Sequence, residues 1–192
     1  MSVHSACRAL APLSMLAVFA ACQTIPDYPG EDIEVLHHGA LESVQPADIV
    51  LAPVVVSAET LGTVPTASLR RGFMKALVRR RYSPLALEYV DREVVEASYR
   101  SGALDEDGVL RVEVQAWDTS LWVSHGVLSV VMDAWMIDVR DGEKLWGGRI
   151  TRRVRTRFEG SSHPTEQALI DVVCERLAED LLEMMPARTP GP

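Results

Sequence analysis

Cysteine is scarce, with thiols only at positions 7, 22 and 174 of a 192-residue chain. Cys7 lies in what reads as a leader and Cys22 at its end, so Cys174 stands alone and no intrachain disulfide is expected. Its place in the apolar rhythm of a helix predicts a buried, inert thiol. Also lacking is an unbroken apolar run of about 20 residues, the length a membrane-crossing helix needs. Positive charge is in deficit: 19 Lys and Arg against 27 Asp and Glu give a net −8. That excludes general nucleic-acid binding, which takes a basic surface, and it leaves the chain as a whole no electrostatic attraction to anionic lipid. No G-x-S-x-G nucleophile motif occurs. The adjacent pair His37-His38 lacks the spacing that puts two metal ligands on one helix face, and in Leu104–Gly108 the glycine falls too early for a calcium loop. These gaps imply no cofactor and no metal, and they predict a protein that is not an enzyme. An envelope hydrolase built on His125 or His163 is the minor alternative; Ser161-Ser162-His163 reads as a turn before a helix.

What is present starts at the N-terminus, where MSVHSACRALAPLSMLAVFAA carries one fixed positive charge, Arg8, and then an apolar segment, Ala9–Ala21. The segment is too short to span a bilayer and matches the apolar core of a secretory signal peptide. It ends in Ala20-Ala21-Cys22, and here the sequence resembles the lipobox of bacterial lipoproteins, with Phe19 in place of the usual Leu. The resemblance implies cleavage before Cys22 and acylation of its sulfur. Each buried CH₂ of the acyl chains contributes about 0.8 kcal/mol of membrane affinity, so two or three chains hold a protein durably. Gln23 follows rather than Asp, so by the same resemblance the expected address is the outer membrane, lipid-anchored and facing the periplasm.

The rest of the chain divides accordingly. Residues 1–21 read as the lipoprotein signal peptide and 22–47 as the lipidated cysteine with a flexible Pro- and Gly-bearing tether. Residues 48–185 read as a single periplasmic domain, and 186–192 as a disordered tail. Within the domain, Asp48–Val56 is an apolar run of strand length. Thr66 or Ser68 caps a helix with Leu69, Phe73 and Leu77 on one face. Tyr82–Val90 reads as a second strand, and Asp91 begins a short helix. Val109–Trp117 alternates as a half-buried strand, and Asp141-Gly142 joins two long strands. The last helix has a stripe of Ala168, Leu169, Val172, Val173, Leu177, Leu181 and Met184. The order β-α-β-α-β-β-β-α predicts an α+β class, an α/β sandwich with a mixed sheet of about five strands and two to three helices.

That order, with ADIVLAPVVV, SLRRGFMKALVRRRYSPLAL and VMDAWMIDVRDGEKLWGG filling it, resembles periplasmic lipoprotein domains related to the TolB amino-terminal domain and the curli secretion lipoprotein CsgG. In the hairpin the family pattern corresponds to Asp138, Gly142, Leu145 and Trp146. The resemblance implies packing and no catalytic residue, and it spans secretion channels, synthase activators and proteins of other roles. A pore is excluded, because every segment long enough for a membrane strand is already used by the sheet.

Partner-binding candidates are therefore surface features. Arg153, Arg155 and Arg157 alternate and so share one strand face. With the helix end at Arg79, Arg80 and Arg81 they would make a positive docking area for an acidic protein or a carboxylate-bearing wall polymer. The alternative pairs them with Glu175, Glu179, Asp180 and Glu183 of the last helix. Trp117 and Trp122 flank a turn and form either an exposed contact pair or core. Asp133, in an apolar strand, is expected to pair with an arginine between Arg149 and Arg157. The expected function is a lipid-anchored, non-enzymatic envelope protein that docks a protein or cell-wall partner. The alternative is an oligomeric accessory subunit of a secretion or transport system.

Overall fold

The structure, a computed structural model, describes residues 32–58, 60–95, 102–156 and 165–189. Its elements run β1 (Asp32–His38), α1 (Leu41–Val44), β2 (Asp48–Leu51), β3 (Val55–Val56), α2 (Thr66–Arg79), β4 (Ser83–Pro84), α3 (Leu87–Val95), β5 (Gly108–Asp118), α4 (Trp122–His125), β6 (Val127–Asp138), β7 (Lys144–Arg155) and α5 (Glu166–Glu183). The class is α+β. Among the described residues the sheet is larger than expected, with seven strands in the order β1-β7-β6-β5-β2-β4 and β3 beside β5. Two of the five described helices are single turns.

The two long strands follow from strict alternation. In β6 the residues Leu128, Val130, Met132, Ala134 and Met136 all enter one core, and each intervening residue points to the opposite side. Gly142, with φ 77°, supplies the left-handed turn that Asp141-Gly142 predicted. β2 and β4 are short and run parallel to their neighbours, β5 and β2 respectively.

Three expectations are corrected. The tether up to Ala47 contains β1, which pairs antiparallel with β7 from Asp32↔Thr151 to His38↔Trp146. Ile33 and Val35 pack on the core while Asp32 and Glu34 face away, so its alternation is real but is broken by a bulge after Val35. The expected strand Tyr82–Val90 shrinks to Ser83–Pro84, and Asp91 lies inside α3 rather than capping it. Arg188 N–H donates to Arg80 O (2.9 Å) and Thr189 N–H to Gln45 Oε1 (2.8 Å), so the segment after Pro186 is hydrogen-bonded to the domain over its described part.

One face of the sheet is covered by α2 and α5, which run parallel. Gly72 permits the contact: a Cβ there would sit 2.8 Å from Cys174 O. Cys174 is fully buried and free, and burial pushes its thiol up to about 12. The α5 stripe is shifted from the expected one. Val173, Cys174, Leu177, Ala178, Leu181 and Leu182 are buried, whereas Val172 and Met184 are exposed. On the other face, among the described residues, α3 packs over Val50, Val90 and Val109. Among the described residues no other element packs on the outer surface of β1, β7, β6 and most of β5, although Val127 and Ser129 are buried there.

Candidate functional site

Two surfaces result from this layout: the uncovered sheet face and a cleft at one end of the sheet. The uncovered face is ordered by register. One row across four strands reads Glu113, Asp133, Arg149 and Glu34; the next reads Arg111, Trp135, Gly147 and His37. Asp133 is 4% exposed. Arg149 grips it with two parallel bonds, Nε to Oδ1 at 2.7 Å and Nη2 to Oδ2 at 2.8 Å, and Gln115 Nε2 adds a third at 3.3 Å. The carboxylate raises the affinity of Arg149 for its proton. This is the strand-to-strand pairing expected from burial of a charge in an apolar strand. Trp135, half-buried, lies flat over Gly147, where a Cβ would come within 2.3 Å of its ring, and Lys144 Nζ sits 3.9 Å from its centroid. Consecutive glycines serve opposite faces: Gly148 makes the same room for Trp146 in the core.

The cleft, about 530 Å³, opens where β5 ends and β6 begins, beside the first turns of α2 and α5. Trp117, Leu128, Ile170 and Val173 form its apolar lining, with Glu166 and Gln167 at α5. Trp117 is 3% exposed and belongs to the core, so it makes no exposed pair with Trp122. Trp122 is half-buried on the cleft wall, and its neighbour Val123 is 97% exposed. Val123 escaped the sequence reading, although bulky apolar residues in the turn SLWVSHG were a signal, since turns are usually polar.

The expected arginine area is split. Thr156 N–H donates to Gly126 O (2.8 Å) and Val127 pairs with Arg155, so Arg153 and Arg155 stand at the cleft end with Trp122. Arg157 lies outside the described residues, as do Cys22 and His163. Arg79, Arg80 and Arg81 are at the opposite end, because α2 runs away from the cleft. There Arg79 meets Glu175 and Glu179, Arg80 donates to Met185 O, and Arg81 is exposed with φ 67°. The acidic last helix does pair with arginines, but chiefly those of α2: Arg71 with Asp171, Lys75 and Arg79 with Glu175. From β7 it takes Arg152, whose partner is Asp180. Hydrogen bonds from Lys75 and Arg79 hold the Glu175 carboxyl below its usual range, and the Ser68 hydroxyl does the same for Asp171.

The remaining polar candidates have structural partners. His37 Nε2 is 2.8 Å from Lys144 O, and its neighbour His38 is exposed. His125 Nδ1 is 2.7 Å from Ser124 Oγ at an exposed turn. In the acidic turn, Glu106 accepts the amides of Gly102 and Leu104, and Asp107 those of Ala47 and Asp48. Among the described residues no group of three or more His, Cys, Asp or Glu is placed to hold a metal ion, and no helix is long and apolar enough to cross a membrane.

No protein-family model matches the chain, and no curated protein matches it by sequence. Among solved structures it is similar to the PelC dodecamer from Paraburkholderia phytofirmans, at 14% identity over 83% of this chain and 99% of that one, with a TM-score of 0.53. A second crystal form of a PelC variant gives 15%, 82%, 99% and 0.52. A more distant likeness is to lipoprotein GNA1162 from Neisseria meningitidis, at 19%, 71%, 99% and 0.47. At such identities what this chain shares with PelC is the fold.

Proposed function

We propose that this chain is a lipid-anchored protein of the bacterial envelope that works by binding, without catalysis of its own. Cys22 carries the acyl chains, and the body faces the periplasm from the outer membrane. The kinship with TolB- and CsgG-type lipoprotein domains belongs to the same proposal. The observation that carries it is the sheet face that no described helix covers around Trp135. Trp135, Val131 and Ile137 lie half-buried there, among Arg111, Arg149, Glu113 and Glu34. Aromatic and arginine side chains around a partly apolar centre are the composition of protein interfaces, and Trp and Arg dominate their energetics. The partner docked there is an envelope protein.

A photoreactive amino acid placed at Trp135 in living cells tests this. The expected product is one reproducible adduct to an envelope protein, absent when the probe stands at exposed Lys75 on the helix side. Failure to recover any adduct from Trp135 overturns the reading. A second reading is self-association. It is favoured by the outer edge of β1, which pairs with no further described strand, and by the dodecameric state of PelC, which has the same fold. An adduct at twice the chain's own mass selects it, and sizing in detergent then gives the number of copies.

A further inference from the structure

We infer that the cleft end of the molecule, with Trp122, Val123 and Arg155 at its tip, is the surface that rests on the lipid bilayer; the inference rests on acylation of Cys22. Direction of chain entry is the first argument. β1 runs antiparallel to β7 with Asp32 opposite Thr151 and His38 opposite Trp146. The polypeptide therefore enters the sheet at Asp32 heading away from the end where β7 finishes at Arg155 and β6 starts at Val127. Only Gln23–Glu31 separate the acylated sulfur from Asp32. Fully extended, such a stretch reaches on the order of 30 Å, so the anchor keeps the domain at the membrane surface and presents this end first.

The second argument is what that end displays. Val123 is 97% exposed, more than any other large apolar side chain among the described residues. Beside it Trp122 is half-buried, an indole at the level where aromatic side chains settle between headgroups and acyl chains. Arg155 is exposed on the adjoining strand end, paired in register with Val127, and a guanidinium there suits lipid phosphate. The opposite end carries charges of both signs: Asp105, Asp107, Asp141 and Glu143 are exposed around the β5 start and the β6–β7 hairpin, and so are Arg81, Arg140 and Lys144. Mixed charge gives an anionic surface no net attraction, whereas an apolar and aromatic tip with a cation beside it is drawn to one. The occupant of this surface is thus a bilayer, and the sheet face stands roughly at right angles to it, free for a protein.

The test uses the full chain, acylated in an expressing bacterium and reconstituted into vesicles of phosphatidylethanolamine and phosphatidylglycerol whose acyl chains are brominated. Bromine quenches tryptophan on contact. The expected result is partial quenching that is mostly lost in Trp122→Phe and unchanged in Trp135→Phe. Val123→Asp, at a fully solvated position that folding does not use, is expected to weaken quenching with an unaltered circular dichroism spectrum. Arg155→Glu should weaken it on these vesicles and not on purely zwitterionic ones. Protein that floats with the vesicles yet shows no quenching, or quenching that survives Trp122→Phe, overturns the orientation while leaving the anchor intact. Protein that fails to float overturns acylation at Cys22, and the orientation with it.

Discussion

Glycines 147 and 148 show how a single hydrogen can decide a side chain's place. Trp135 occupies the space above Gly147 on the open face, and Trp146 the space above Gly148 in the core. The two alanine substitutions should therefore differ. At Gly148 the added methyl meets Trp146 and Leu181, both fully enclosed, and overpacking of that kind costs about 1–3 kcal/mol. At Gly147 the Trp135 ring can swing into solvent, so the loss should be smaller; thermal denaturation of both variants checks the order. Removing Asp133 leaves Arg149 without its bidentate partner, and hydrogen bonds to charged groups contribute about 1.5–3 kcal/mol. Because Arg149 is partly exposed and can rehydrate, Asp133→Ala should fall near the low end of that range in urea titration. Cys174 makes a simpler check. Enclosed and with its thiol pushed up to about 12, it should resist maleimide in the native protein at pH 8 and react at once in guanidinium. Thiolate is the reacting form, and burial suppresses both its formation and its access.

At the scale of elements, the two covering helices are joined by a ladder of ion pairs along their parallel axes. Asp171 and Glu175 sit below the ordinary carboxylate range in the folded state, and so does Asp138, which the Arg140 guanidinium holds down. A depressed carboxylate stabilises the fold above its unfolded pKa, about 4, and loses that contribution as pH falls through the lower folded value. Melting temperature should accordingly be level from neutral pH down to about 5 and drop steeply below about 4, with a shallower drop in Glu175→Gln. These helices and the long β6–β7 hairpin were legible in the sequence because each keeps one period over several turns or pleats. β1 was not: its alternation lasts from Asp32 to Val35 before the bulge and sits between proline-bearing segments. The strand read from Tyr82 to Val90 failed for the opposite reason, since Pro84 ends pairing and the apolar residues after it serve a helix. In α5 the buried stripe includes the small residues Cys174 and Ala178, the first of them brought close by Gly72, and small side chains do not announce a buried stripe.

For the whole molecule, the sequence distinguished the residue types that a binding surface uses but not which of them meet. Strand parity correctly set Arg153 and Arg155 on one side, yet joining them to Arg79–Arg81 required knowing which way α2 runs. Chain direction separates the two groups by the length of the sheet. It also separates their chemistry: Arg79 is committed to α5 and Arg80 to Met185 O, while Arg155 remains exposed at the cleft end. Charge reversal should report this division. Arg155→Glu is expected to leave melting temperature nearly unchanged, as exposed charges contribute little, whereas Arg79→Glu places like charges against Glu175 and Glu179 and should lower it measurably.

The partnership of α2 with α5 bears on how such a chain is made. Their contacts join residues about a hundred positions apart, Ser68 to Asp171 and Arg79 to Glu175. No shorter piece of the polypeptide can therefore close the core, and contacts of such long range form late and slowly. A nascent chain is expected to lack its closed core until its C-terminal helix has left the ribosome. Such a delay suits the export proposed above, since a domain folding early from its N-terminus would block a translocation pore.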